Sequence, residues 1–306
     1  MDRVFEYKIE NKYDKSNVIT VLKQHFKMST SLIKDLKKYD GGISLNGGHI
    51  RTVDAVKTGD ILRITLREGA SKNIIPKNIP LDIVYEDEDV LILNKPPYMP
   101  THPSMGNYEN SLANGVMYYF QSKGEERVFR AVNRLDKDTS GLMAVAKNAY
   151  IHARLGDEIR TKQLKRKYKC IVCGDVSEDG TVDAPIKRAD GSVINRVVSE
   201  DGQRAVTHYR VVERYGEYTL LEMELETGRT HQIRVHMAHI GHPLAGDWIY
   251  GEENKELIPR QMLHSCYLRF VHPVTGKEFE FYNEAAPDMS NFIENFCKNV
   301  EKDRKL

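Results

Sequence analysis

Hydrophobic positions along this chain recur with two periods, and the two-residue period dominates. In Ile61–Leu66, the residues Leu62, Ile64 and Leu66 share one face, and Leu221, Met223 and Leu225 alternate with Glu222, Glu224 and Glu226. Such alternation predicts strands of a sheet with one face in the core and the other in water. Ala131-Val132 and Leu142-Met143-Ala144-Val145-Ala146 are unbroken apolar runs that read as buried strands, and the stretch 168–173 reads as another. Asp-Gly pairs beginning at 179, 190 and 201 mark tight turns or hairpin loops.

Helical spacing is rarer. Ile151, Leu155 and Ile159 predict a helix starting near Asn148; Ile233, Met237 and Ile240 predict another that stops at Gly241; a last one follows Pro287. Near the N-terminus, Ser29 or Ser31 can cap a helix carrying Leu32, Ile33 and Leu36, which Gly41-Gly42 ends. The pattern as a whole predicts an α+β fold in which a central antiparallel sheet carries few helices. It divides into a small α+β unit over 13–68, a linker over 69–79 and a larger unit over 80–300. The linker is placed by its composition, Gly, Ser, Asn and Pro without a clear period.

Composition narrows the class. With 306 residues the chain can bury a substantial core, and 40% hydrophobic with 29% charged residues describes a water-soluble globular protein. Mean hydropathy is −0.53, and no apolar run approaches the roughly 18 residues that a spanning helix needs. The first residues, Met-Asp-Arg-Val-Phe-Glu, hold no apolar signal core, so the cytoplasm is the default expectation and no membrane partner is expected. Four cysteines, Cys170, Cys173, Cys266 and Cys297, are too scattered for a disulfide framework. Cys170 and Cys173 match Cys-x-x-Cys, but three residues apart on a strand they face opposite ways, which disfavours a shared metal.

Net charge is +1, so the whole molecule does not advertise an anionic partner; its distribution does. From Arg160 to Lys169, six of ten residues are Lys or Arg with no acid among them. That run, with Lys165, Arg166 and Lys167 at its centre, can hold phosphates although the total charge is near zero. A solvated helix end is the plainer account of the same charges.

The most informative stretch is Arg134-Leu135-Asp136-Lys137-Asp138-Thr139-Ser140-Gly141. It sets one carboxylate between a basic residue and a Ser/Gly turn, at the expected end of a buried strand, as a nucleophilic aspartate is presented. The stretch resembles the RluA/RluD-type pseudouridine synthases, which carry Arg-Leu-Asp followed by Thr-Ser-Gly. Three further blocks resemble the same family in the same order. They are Asp82-Ile83-Val84-Tyr85-Glu86-Asp87 leading into Asn94-Lys95-Pro96-Pro97 and His102-Pro103, then Lys167-Tyr168, then Thr227-Gly228-Arg229-Thr230-His231-Gln232-Ile233-Arg234-Val235-His236. One departure is visible. Asn133 stands where most members have His before Arg-Leu-Asp, and Asn cannot titrate near neutrality.

The resemblance implies an RNA isomerase that breaks the bond from uracil N1 to ribose C1′, turns the base and joins C5 to C1′. No cofactor or metal is needed for that chemistry. Asp136 is then the catalytic carboxylate, attacking C1′ or promoting loss of a C2′ proton. Arg229 is the guanidinium expected to orient it and hold it ionised. Tyr168 is the aromatic expected to stack on uracil and take the C5 proton. Arg134, Lys165, Arg166, Lys167, His231, Gln232 and Arg234 are expected to touch RNA. His231, His236, His239 and His242 lack a nearby carboxylate or cysteine to complete a metal site.

Residues 13–68 resemble the ribosomal-protein S-four-like RNA-binding domain, with Lys34, Lys37, Lys38, His49 and Arg51 as candidate RNA contacts. Together the two likenesses point to large-subunit ribosomal RNA first and transfer RNA second, with no obligate protein partner inferred. Two rivals stand beside this expectation: a non-catalytic ribosome-assembly factor that only holds RNA, and a glycoside hydrolase, which needs two flanking acids where this motif offers one acid and an arginine.

Overall fold

A computed structural model describes residues 2–69, 71, 73–251 and 258–294. Cys297, the expected end at 300 and positions 70 and 72 of the expected linker lie outside the described residues. The chain opens with β1 (Arg3–Lys8), α1 (Val18–Gln24), α2 (Thr30–Leu36), β2 (Ile43–Leu45), β3 (Gly48–His49) and β4 (Ile61–Leu66). These strands make a four-stranded antiparallel sheet in the order β1-β4-β2-β3. Leu62, Ile64 and Leu66 are buried on its inner face, as their spacing predicts. Ser29 is the cap of α2, its hydroxyl accepting from the Leu32 amide at 3.2 Å. The sheet begins at Arg3, ahead of residue 13, because β1 supplies its edge.

There follow β5 (Ile83–Glu86), β6 (Val90–Lys95), α3 (Leu112–Ser122), β7 (Ser140–Ala146), α4 (Ala149–Arg160), β8 (Lys165–Cys173), β9 (Gly180–Asp183), β10 (Ile186–Arg188), β11 (Arg196–Val198), β12 (Val206–Arg214), β13 (Tyr218–Leu225), α5 (Gln232–His239), β14 (Leu263–Val271), β15 (Glu278–Tyr282) and α6 (Pro287–Phe292). Nine of these strands join one sheet in the order β5-β6-β7-β14-β8-β13-β12-β9, with β15 on β14. Every neighbouring pair is antiparallel except β7 and β14, which run parallel through Ser140 opposite His264 and Gly141 opposite Ser265. The sheet is therefore mixed at one seam rather than wholly antiparallel. Gly141 makes the seam possible: its φ is +110°, and a β-carbon there would lie 2.2 Å from the Ser265 carbonyl oxygen.

Of the three Asp-Gly pairs, Asp190-Gly191 closes the separate β10–β11 hairpin, with Gly191 left-handed at φ +71°. Asp201-Gly202 forms a turn before β12, and Gly180 opens β9. Helix α4 is capped by Asn148, whose side chain accepts from the Ile151 amide at 2.9 Å. Its Ile151 and Leu155 share an apolar cluster with Phe5 and Phe26 of the N-terminal unit and Leu268 and Phe270 of β14. Polar contacts pin the same junction. Arg3 forks onto Asp89 at 2.8 and 2.9 Å, and Glu68 accepts from both Arg130 and the Ala149 amide. Helix α3, capped at Ser111, buries Leu112, Val116 and Phe120 at four-residue spacing, a helical signal that the sequence reading passed over.

Candidate active site

A cleft of about 800 Å³ opens beside the parallel seam, lined by the loop ahead of β7, by β8 and by the segment leading into α5. The apolar run Ala131-Val132 forms only a short bridge to β7, with Ala131 opposite Val145 and the Val132 amide donating to the Ala144 carbonyl. Beyond it a side chain continues the pairing. Asn133 is buried, and its Oδ1 accepts from the Ala144 amide at 2.9 Å while its Nδ2 donates to the Leu142 carbonyl at 3.4 Å. Asn133 thus acts as a strut, using the acceptor and donor of a neutral amide at once.

Asp136 consequently sits in a loop four residues after Val132, not at a strand terminus as the apolar run suggests. The loop is fixed from beneath by two buried basic side chains, of which Lys95 has its ammonium pulled down to about 7 by burial. Lys95 donates to the Lys137 carbonyl at 2.9 Å and Arg260 to the Asp138 carbonyl at 3.0 Å. Arg260 has no exposed surface and forks onto Asp288 at 2.6 and 2.7 Å. The Asp136 side chain remains a quarter exposed and faces the cleft.

The guanidinium beside Asp136 belongs to Arg234, not Arg229. Arg234 is buried at the start of α5, where its Nε and Nη2 donate to Asp247 at 2.6 and 2.7 Å. Its Nη1 reaches Asp136 Oδ2 at 3.3 Å. Arg229 is exposed on the cleft wall, and its Nε donates to the Arg204 carbonyl at 3.0 Å. The reason is local. His231 takes a left-handed conformation, φ +58°, and turns the chain into α5, so residues before and after it point to different places.

Two other expected RNA contacts in this segment have structural duties. Gln232 is buried; it accepts from Thr227 and the Arg229 amide and donates to Val206 and Thr207. Arg234 is spent on its two carboxylates. His231 stays at the cleft, Nδ1 against Tyr250 at 2.9 Å and Nε2 3.8 Å from Asp136. Burial pushes its imidazole below the usual range, against the opposing pull of Asp136. His236 is buried between Thr207 and the Ala184 carbonyl.

Strand β8 sorts the basic run by its two-residue period. Arg166, Tyr168 and Cys170 are buried on one face, whereas Lys165 and Lys167 project from the other, where they meet Glu224 at 2.8 Å and Glu222 at 3.2 Å. These two lysines are therefore sheet-face ion pairs and do not reach the cleft. Tyr168 and Arg166 do line it. Burial pushes the Tyr168 phenol up, with the Arg166 charge pulling the other way, so the ring stands in the cleft as a neutral phenol. Arg134 is exposed at the rim and has no ion pair among the described residues.

In the N-terminal unit, Lys34, Lys37 and His49 are exposed, Lys38 pairs with Asp35, and Arg51 forks onto Asp54. Among the described residues no cluster of three metal-ligating side chains occurs and no helix is long and apolar enough to cross a membrane. Sequence reasoning missed Lys95, Asp247 and Arg260 as groups that build the site. The signal for Asp247 was its place in Gly241-His242-Pro243-Leu244-Ala245-Gly246-Asp247, a loop that continues the family-like pattern; Arg260 carried none.

Residues 89–239 match the family model described as RNA pseudouridylate synthase. A Bacillus subtilis (strain 168) protein named uncharacterized RNA pseudouridine synthase YjbO is 42% identical over 268 residues, covering 87% of this chain and 94% of its own. The ribosomal large subunit pseudouridine synthase D of Pasteurella multocida (strain Pm70) is 39% identical over 266 residues, with 82% and 81% covered. Among solved structures, human RNA pseudouridylate synthase domain containing 1 superposes with a TM-score of 0.57 at 26% identity, over 70% of this chain and 87% of that one. With that breadth of likeness, and one carboxylate held in a cleft between an arginine and a tyrosine, the chain belongs to the RluA/RluD-type RNA pseudouridine synthases.

Proposed function

We propose that this isomerase converts specific uridines of large-subunit ribosomal RNA to pseudouridine, with Asp136 as its catalytic carboxylate. The observation that carries the proposal is the Asp136–Arg234 contact in a cleft walled by Tyr168. A guanidinium whose Nε and Nη2 are already held by Asp247 has Nη1 left over, and it directs that nitrogen at Asp136. The carboxylate is thereby aimed before substrate arrives, which is where proximity gives its rate advantage.

The target uridine leaves its stack to enter the cleft, and Tyr168 gives it an aromatic surface in exchange. The N1–C1′ bond breaks as Asp136 attacks C1′ or takes a C2′ proton. The base turns, C5 joins C1′, and the C5 proton is lost as N1 gains one. Either route returns the Asp136 carboxylate, so atoms balance within the substrate. The neutral Tyr168 phenol favours a stacking and hydrogen-bonding role over that of a resting base. His231, held neutral beside Asp136, lines the same cleft.

Ribosomal RNA as the substrate is supported by the name of the Pasteurella relative, a large-subunit enzyme, and by the N-terminal unit. Lys34 and Lys37 of that unit are exposed without ion pairs among the described residues, available to phosphates. The test is pseudouridine mapping in total RNA from cells with and without the gene, complemented by wild type or Asp136→Ala. Large-subunit sites lost on deletion and restored only by wild type are expected. Loss confined to transfer RNA would move the substrate there, and no change at any site would overturn the proposal.

A further inference from the structure

Four arginines are buried among the described residues: Arg127, Arg166, Arg234 and Arg260. Three are held by carboxylates, Arg127 by Glu125, Arg234 by Asp247 and Arg260 by Asp288. Arg166 is 8% exposed, its Nε is buried without a hydrogen-bond partner, and it forms no ion pair with any described residue. A buried charge is tolerated when it is paired; left alone it opposes folding.

Arg166 is aimed into the cleft. It shares a face of β8 with Tyr168, two residues on, and lines the cleft beside Asp136. Across from it stands Gly228, and a β-carbon there would lie 3.5 and 3.6 Å from Nη1 and Nη2. With no side chain at Gly228, nothing from that position covers the end of the guanidinium. Asp136 is not its partner, since that carboxylate is bound to Arg234.

We infer that Arg166 is an anion subsite that receives a phosphodiester of the RNA strand whose uridine enters the cleft. This deepens the proposed function and rests on RNA being the substrate. The two terminal nitrogens opposite Gly228 form a planar fork that matches two phosphate oxygens, and a full negative charge compensates the buried cation as a uracil carbonyl would not. Arg134 and Arg229, exposed on the rim, lie on the way in. The fold keeps one charge unpaired in the free enzyme and pairs it only when RNA is bound.

The test compares wild type, Arg166→Gln and Arg166→Lys for binding an unmodified transcript of large-subunit ribosomal RNA across a potassium chloride series. Loss of one phosphate contact lowers the slope of log Kd against log salt by about 0.7 to 0.9. The Gln variant is expected to show that drop, with binding weakened about tenfold at 100 mM salt. The Lys variant keeps the charge and the wild-type slope. Because the charge has no partner in the free protein, the Gln variant is also expected to melt no lower than wild type. An unchanged slope, or a lower melting temperature with an unchanged slope, would overturn the assignment. Pseudouridine formation by wild type in the same samples reports on the proposed function separately: activity without a slope change sinks only the Arg166 subsite.

Discussion

Arg234 binds Asp247 with two of its nitrogens, at 2.6 and 2.7 Å, and this pairing leaves only Nη1 free to reach Asp136. Asp247 has no exposed surface, so the pair is a buried fixture and Asp136 is its client. Asp247→Asn strips the guanidinium of its charged anchor. The variant is expected to lose about 3 to 5 kcal/mol of stability, as when one member of a buried ion pair is removed, read by urea unfolding. Any residual folded enzyme should have a lower kcat with little change in RNA affinity.

The same geometry separates two arginines of one motif. Arg234→Lys keeps a charge but cannot fork, and loss of aim at Asp136 is expected to cut kcat on the order of 100-fold. Arg229→Ala removes an exposed side chain that contacts only a backbone carbonyl and should leave kcat within about fivefold, the size of a surface interaction. Equal losses in single-turnover assays of the two variants would show that Arg229, too, acts on the chemistry.

His264 gives the protein an acid-side weakness. It is buried beside Ser140, and burial, reinforced by the Arg260 charge, pushes its imidazole down to about 4 from 6.5. Between those values the unfolded chain binds a proton that the folded imidazole refuses. Stability from this group is whole above about pH 6.5 and drains away as the pH falls toward 4, by about 3 kcal/mol in all. His264→Asn should flatten that slope in denaturant titrations at pH 4, 5, 6 and 7. A slope equal to wild type would place the titrating group elsewhere.

Asn133→Ala is expected to destabilise by about 1 to 3 kcal/mol, since it leaves the buried Ala144 amide without a partner, while the Leu142 carbonyl keeps the Ser265 hydroxyl at 3.1 Å. Its kcat at 20 °C should stay within a few-fold of wild type. A large kcat loss in a fully folded variant would argue for a direct part in the reaction.

Gly141→Ala drives its new methyl group into the Ser265 backbone, with the oxygen 2.2 Å and the nitrogen 2.6 Å away. Strain and overpacking together are expected to exceed about 3 kcal/mol. Soluble yield and unfolding midpoint would report it, and a variant as stable as wild type would mean the seam is looser than described.

What the sequence discloses is governed by range. The two-residue period of β4 and β13, the cap at Asn148 and the stop at Gly241 are local rules, and they appear where their residues predict. Asp136 was legible because its neighbours in the chain are also its neighbours in the loop. Lys165, Arg166 and Lys167 look equivalent in a basic run, and only the pleat of β8 sends one of them into the cleft and two away from it. Arg229 and Arg234 lie in one motif, and a single left-handed residue, His231, decides which meets Asp136 from 98 positions earlier. Arg260 reaches the Asp138 carbonyl across 122 positions, a pairing that no local pattern encodes.

The parallel seam also sets an order of assembly. Strand β14, residues 263–271, lies between β7 and β8, so the strands that follow Asp136 and carry Tyr168 are joined in one sheet only through a much later segment. Contacts of such long sequence separation form slowly, because their loop-closure entropy must be met first. During synthesis the first 250 residues can fold their local elements yet hold no competent cleft. A chain interrupted before β14 is therefore expected to be not a weakened catalyst but an unassembled one.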